Sequence, residues 1–191
     1  MNTFTGILQT LVSVIFFCNK CFLLAARVKG VSNQRILQIA WILGTVGAAF
    51  GVMYFAIIGL YVFVVAEIGL LVIAAYAATA HLRDSPTEIW LRGALIICMA
   101  LLSILVSNGA LTVLEFLSAC CMLIAAYMLS HGLPMCGWAI NVLGHLLTAW
   151  LAYEKGQYFF EHFQIASALI SATGIAQEYY APSPKISSVP G

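Results

Sequence analysis

Charge is what this chain has least of. Only 8% of its 191 residues are Asp, Glu, Lys or Arg, and eight basic against seven acidic side chains leave a net charge of +1. Such a balance offers no basic surface for nucleic acid, and no nucleic-acid partner is expected. With 63% of residues apolar, there are also too few polar side chains to cover a soluble domain of this size. Proline is scarce, and none of the five falls inside an apolar run. A Ser-His-Asp set, a phosphate loop and paired carboxylates are all missing, which speaks against hydrolase and nucleotide-dependent chemistry. No enzyme activity, cofactor or metal is expected. The start, MNTFTGILQT, lacks a positive n-region and leads into an apolar run too long for a signal peptide, so it reads as a retained first span.

What fills the chain instead is apolar length. Mean hydropathy is +1.01, and turn signals divide the sequence into seven spans of bilayer-crossing size. They are Gly6–Ala26, Ile36–Ile57, Leu60–Ala80, Ile89–Val106, Ala110–Leu129, Gly137–Tyr153 and Gln157–Gln177. Residues 36–80 are too long for one crossing and must fold back near Gly59. The fourth span opens with SPTE, in which Ser85 caps, Pro86 takes the first helical position and Glu88 closes a capping box. The tail APSPKISSVPG has the composition of a disordered end, so residues 178–191 are expected to lie outside the folded part. With an outside N-terminus, Arg27, Lys29, Arg35, Arg83, Arg92 and Lys185 lie inside and Lys155 outside. That asymmetry predicts N-out and C-in. Lys20, in the inner half of the first span, is expected to snorkel toward the inner headgroups.

The stretch GLYVF at 59–63 returns as GQYFF at 156–160, an offset of 97 residues. At the same offset Trp41 meets Trp138, Gly47 meets Gly144, Ile68 meets Ile165 and Ala75 meets Ala172. Upstream, CFLLAA (21–26) matches CMLIAA (121–126) at an offset of 100. The chain therefore reads as an all-α membrane protein in which two parallel three-helix repeats are joined by a linking helix, a 3+1+3 plan. Residues 1–80 hold the first repeat, 81–107 the loop and linking helix, and 108–177 the second repeat. Gly44, Gly47 and Gly51 form a bare face on the second span, where a neighbouring helix can approach closely. Their counterparts are Asn141, Gly144 and Thr148.

Polar side chains inside a membrane are costly and so are candidates for function. Trp138, Asn141 and His145 share one face of the sixth span and together suit a flat heterocycle with a polar edge; bonds to neighbouring helices would satisfy the same amide and imidazole. Glu67, with Gln164 as its repeat partner, is a counter-ion for cationic cargo, a proton-coupling site, or half of a pair with His145 or His162. Asn19 is a further cavity candidate. Glu115 and His162 read as interfacial. Cys18 and Cys21 make a C-x-x-C, and Cys120 and Cys121 lie in the matching helix, yet no charged group is placed to form a thiolate. They read as apolar filler, with a membrane thiol oxidoreductase or a metal site as the competing use.

The 3+1+3 plan resembles the SWEET-like superfamily. WAINVLGHLLTAWLAYEKGQYFF (138–160) resembles the end of the PnuC family of vitamin-precursor transporters. There a Trp and an Asn on one helix precede an aromatic residue, a Lys-Gly-x-Tyr turn and a final helix; the matching residues here are Trp138, Asn141, Tyr153, Lys155, Gly156 and Tyr158. The chain departs from the pattern at Gly44, where the first repeat has no Asn, and it lacks the Pro-Gln pair of the sugar-transporting relatives. Small bacterial inner-membrane proteins of the same superfamily fit the plan as well. The resemblance implies a bacterial inner-membrane facilitator for a small polar solute, such as the nucleoside-like nicotinamide riboside. A non-transporting scaffold or partner-binding subunit is the alternative. The expected partners are a small-molecule solute and the lipid bilayer, with self-association into a homo-oligomer left open.

Overall fold

The computed structural model describes residues 3–26, 33–79, 97–98, 100–102, 104–105, 109 and 112–180. The SPTE cap and the basic residues Arg27, Lys29, Arg83, Arg92 and Lys185 lie outside the described residues, as does the tail from 181. Among the described residues every regular element is helical. Three helices precede residue 80: α1 (Thr3–Ala25), α2 (Gln34–Ile57) and α3 (Tyr61–Thr79). Helical residues between 97 and 105 are the described part of α4. Three helices follow: α5 (Val113–Ser130), α6 (Pro134–Glu154) and α7 (Tyr158–Tyr180). The expected disordered end therefore starts too early, because the aromatic pair Tyr179 and Tyr180 still closes the last turn of α7.

Local chemistry explains the ends. Asn33 caps α2 by accepting from the Ile36 N–H at 3.2 Å. Thr112 and Glu115 form a reciprocal capping box at the start of α5, and Pro134 occupies the first turn of α6, where its missing N–H has no partner to lose. The two echoing turns share one construction. Gly59 and Gly156 adopt φ of +74° and +67°. Around them Leu60 N–H donates to Phe55 O and Gly59 N–H to Ala56 O, while Gln157 N–H donates to Ala152 O and Gly156 N–H to Tyr153 O. These are the paired backbone bonds of a left-handed glycine cap. A Cβ at either glycine would meet open space, so backbone conformation rather than crowding selects the residue.

Helices α1, α2, α3, α5 and α6 are 23, 24, 19, 18 and 21 residues long and apolar enough to cross a membrane. Their burial pattern departs from that of a soluble protein in what faces outward. Ile7, Leu11, Val14, Ile42, Leu143 and Leu146 face outward, while Gln9, Ser13, Lys20, Glu67, Ser118, His145 and Gln164 are buried. An apolar exterior that keeps the few polar side chains inside, within a mostly apolar core, is the arrangement a hydrocarbon solvent favours. The chain is a helical membrane protein. Helix α7 equals α1 in length but carries Glu161, His162, Gln164, Gln177 and Glu178, which lower its apolar content.

Packing runs around a closed ring. Helix α2 lies between α1 and α3, α6 lies between α5 and α7, and the two groups touch through α3 with α5 and α1 with α7. The α2–α3 and α6–α7 turns sit at one end, since Leu60 and Phe63 line a small pocket with Lys155, Gln157 and Phe160. Glu115, at the start of α5, is at that end too, in a 2.5 Å ion pair with Lys155.

Candidate functional site

Between the two helix groups lie two cavities, stacked end to end along the helices and separated by Phe16, Lys20, Leu70 and Met122, which line both. The first, a cavity of about 70 Å³, is bounded by Asn19, Leu23, Trp41, Gly44, Ala74, Leu129 and Asn141. The second, about 50 Å³, is bounded by Val12, Phe55, Glu67, His145, Phe160, Phe163 and Gln164. It lies nearer the end where the glycine-capped turns are. There Phe55 stacks on Phe63 at 5.0 Å and meets Phe160 edge-on at 6.0 Å, so aromatic rings cover that end.

Two amides reach the first cavity from opposite groups. Asn19 on α1 donates through Nδ2 to the Ala40 carbonyl at 2.6 Å, and Asn141 on α6 donates to Ser171 Oγ at 3.0 Å. Neither amide oxygen has a partner among the described residues. The space for Asn19 comes from Gly44, where a Cβ would lie 3.1 Å from Asn19 Nδ2. The position that matches Asn141 in the first group is thus empty of side chain because an amide from the neighbouring helix occupies its place. Both groups supply an amide, from different helices.

The second cavity holds the ionisable groups. His145 Nδ1 and Gln164 Oε1 are 2.5 Å apart, and because an amide oxygen can only accept, the ring carries its proton on Nδ1. Its Nε2 then accepts from the Lys20 amino group. Lys20 is 6% exposed and faces inward, not toward headgroups. The snorkelling expectation is therefore corrected: His145 offers an acceptor inside, and Lys20 lies on the same face of α1 as Gln9 and Ser13. Glu67 is 8% exposed, and its Oε2 has no hydrogen-bond partner. The third alternative for Glu67, a pair with His145 or His162, does not form, since His145 is engaged by Lys20 and Gln164 and His162 is exposed and bonds the Tyr158 carbonyl. Room for the Glu67 carboxyl is made by Gly51, where a Cβ would come within 2.8 Å of Glu67 Cδ.

Of the six residues proposed from sequence, Asn19 and Asn141 meet at the first cavity, and Glu67, His145 and Gln164 at the second. Trp138 lines neither. It is 1% exposed and packs on Gly174, where a Cβ would lie 2.6 Å from its ring. Trp41 reaches the first cavity instead. Lys20 was not among these six, although the polar stripe Gln9, Ser13, Lys20 on α1 marked its face. A second stripe, Gln164, Ser167, Ser171, does the same on α7. Glu115 is at a helix end, as its interfacial reading requires.

The two upstream echoes disagree about register. Gly47 abuts Ile15 and Phe16 of α1, whereas Gly144 abuts Cys121 and Met122 of α5. If Gly47 and Gly144 correspond, Cys121 takes the place of Ile15 and not of Cys21, so the CFLLAA–CMLIAA match does not mark equivalent positions. All six cysteines are free; Cys21 and Cys136 face outward, and Cys98 and Cys120 are buried. Among the described residues no three His, Cys, Asp or Glu side chains gather as a metal site would require.

Comparison with protein-family models, curated proteins and solved structures finds no match for this chain.

Proposed function

We propose that this protein is a seven-span transporter that moves a small polar solute through the space between two parallel three-helix groups. The observation that carries this reading is the stacked pair of cavities, lined from both groups and furnished with two amides whose oxygens are unused. A scaffold has no need of unpaired acceptors in its interior, because buried polar groups are normally satisfied by one another.

The duplicated plan is supported by three features. The glycine caps at Gly59 and Gly156 are alike bond for bond. Their turns lie at the same end. The helix contacts of the first group are repeated in the second, with α3–α5 and α1–α7 as the two joints between them. Two repeats that enter the membrane from the same side would be related by rotation about the membrane normal. The resemblance of residues 138–160 to PnuC transporters makes a nucleoside-like vitamin precursor such as nicotinamide riboside the first solute to try. It also favours a bacterial inner membrane, and the basic residues favour N-out and C-in.

A ligand-induced thermal-shift screen of purified protein against vitamins, nucleosides, sugars and amino acids tests the reading. Stabilisation by one solute class, followed by uptake of that solute into proteoliposomes, is expected. Stabilisation without uptake would favour a binding subunit over a transporter.

A further inference from the structure

Two groups of opposite charge type, Lys20 and Glu67, line the second cavity without bonding to each other. Lys20 is held in place by the relay Gln164–His145, which takes one of its three donors and leaves the others free. Glu67 lines the same cavity, and its buried Oε2 has no hydrogen-bond partner. Both are more than nine-tenths buried. The remaining wall is largely apolar, with Phe16, Phe55, Phe160 and Phe163 contributing four rings.

Building on the transport reading alone, and in place of the nucleoside-like solute, we propose that the solute is a zwitterion with an apolar body, of α-amino-acid size, its ammonium group accepted by Glu67 and its carboxylate bound by Lys20. One ligand then completes both buried groups. A solute with a single charge completes one and leaves the other desolvated and unpaired, which is costly in a low-dielectric interior. A zwitterion also leaves the net charge of the cavity unchanged on loading, which keeps the cost of carrying it across hydrocarbon low. The four phenylalanine rings give the body an apolar bed.

The test uses purified full-length protein and four probes: L-phenylalanine, 2-phenylethylammonium, 3-phenylpropanoate and nicotinamide riboside. L-phenylalanine should bind about 10- to 100-fold more tightly than either single-charge analogue, the factor expected for one charged hydrogen-bonded contact. Glu67→Gln should reduce L-phenylalanine to the affinity of 3-phenylpropanoate and leave 3-phenylpropanoate itself unaffected. Lys20→Met should do the reverse and spare 2-phenylethylammonium. A misfolded variant cannot produce that reciprocal pattern. The proposal is overturned if nicotinamide riboside, cationic and without an anion, binds as tightly as L-phenylalanine. It is equally overturned if no probe binds, or if each variant weakens all probes alike. Zwitterion binding without flux into proteoliposomes would sink the transport reading and uphold this one; flux of a single-charge nucleoside would do the opposite.

Discussion

Replacing Asn141 by Leu separates recognition from folding. The amide makes one bond to the protein, from Nδ2 to Ser171 Oγ at 3.0 Å, and Ser171 keeps its own donor bond to the Ser167 carbonyl at 2.9 Å. The fold therefore loses one neutral hydrogen bond and strands no donor. In membrane helices such a bond averages about 0.6 kcal/mol, and leucine returns part of that through packing. The melting temperature should fall by no more than about 2–4 °C, the shift that about 1 kcal/mol produces in a chain of this size. Recognition loses more. The free oxygen of Asn141 is half of the amide pair in the first cavity, and a solute donor left without its acceptor costs about 1–3 kcal/mol, roughly 5- to 150-fold in affinity. Proteoliposome uptake of the solute found by screening, with melting measured on the same preparation, checks both numbers. Normal uptake by Asn141→Leu would refute the cavity assignment. A fall in melting temperature several times larger than expected would show that the amide serves the fold.

Three further substitutions probe the framework. Gly174→Ala places a methyl 2.6 Å from the buried Trp138 ring and should destabilise by about 1–3 kcal/mol through overpacking, read as a lower melting temperature. Gly59→Ala and Gly156→Ala meet open space but impose a left-handed backbone on an L side chain, so each should cost about 1–2 kcal/mol, and the two costs should be similar if the turns correspond. Lys155→Ala removes a half-exposed partner of Glu115 and should change stability by less than about 1 kcal/mol, with the difference vanishing at high salt.

Much of the scaffold was legible because hydrophobic length is a property of a window, not of a partner. The ends of α2, α3 and α6 fall within a few residues of the expected spans, and both glycines of the echo cap a helix in the left-handed conformation. Facing was harder to read. The same four-carbon stem that would let Lys20 snorkel also lets it turn inward, and what decides is His145, 125 residues away. Trp138 shares a helix face with Asn141 and His145, yet it is taken up by Gly174 on α7, a contact no pattern within α6 can reveal. Gly44 looked like a missing amide because its gap is filled by Asn19 from another helix. In each case the deciding contact is tertiary.

Two-sided access to the space between the helix groups tests the central claim without knowledge of the solute. In a cysteine-free background, Met122→Cys puts one thiol on the wall shared by both cavities. Membrane-impermeant thiol reagents would be applied to right-side-out and to inside-out vesicles, with ion conductance recorded in parallel. A transporter predicts labelling from both faces in a membrane that stays tight to ions. Labelling from one face only, or from neither, would contradict the account.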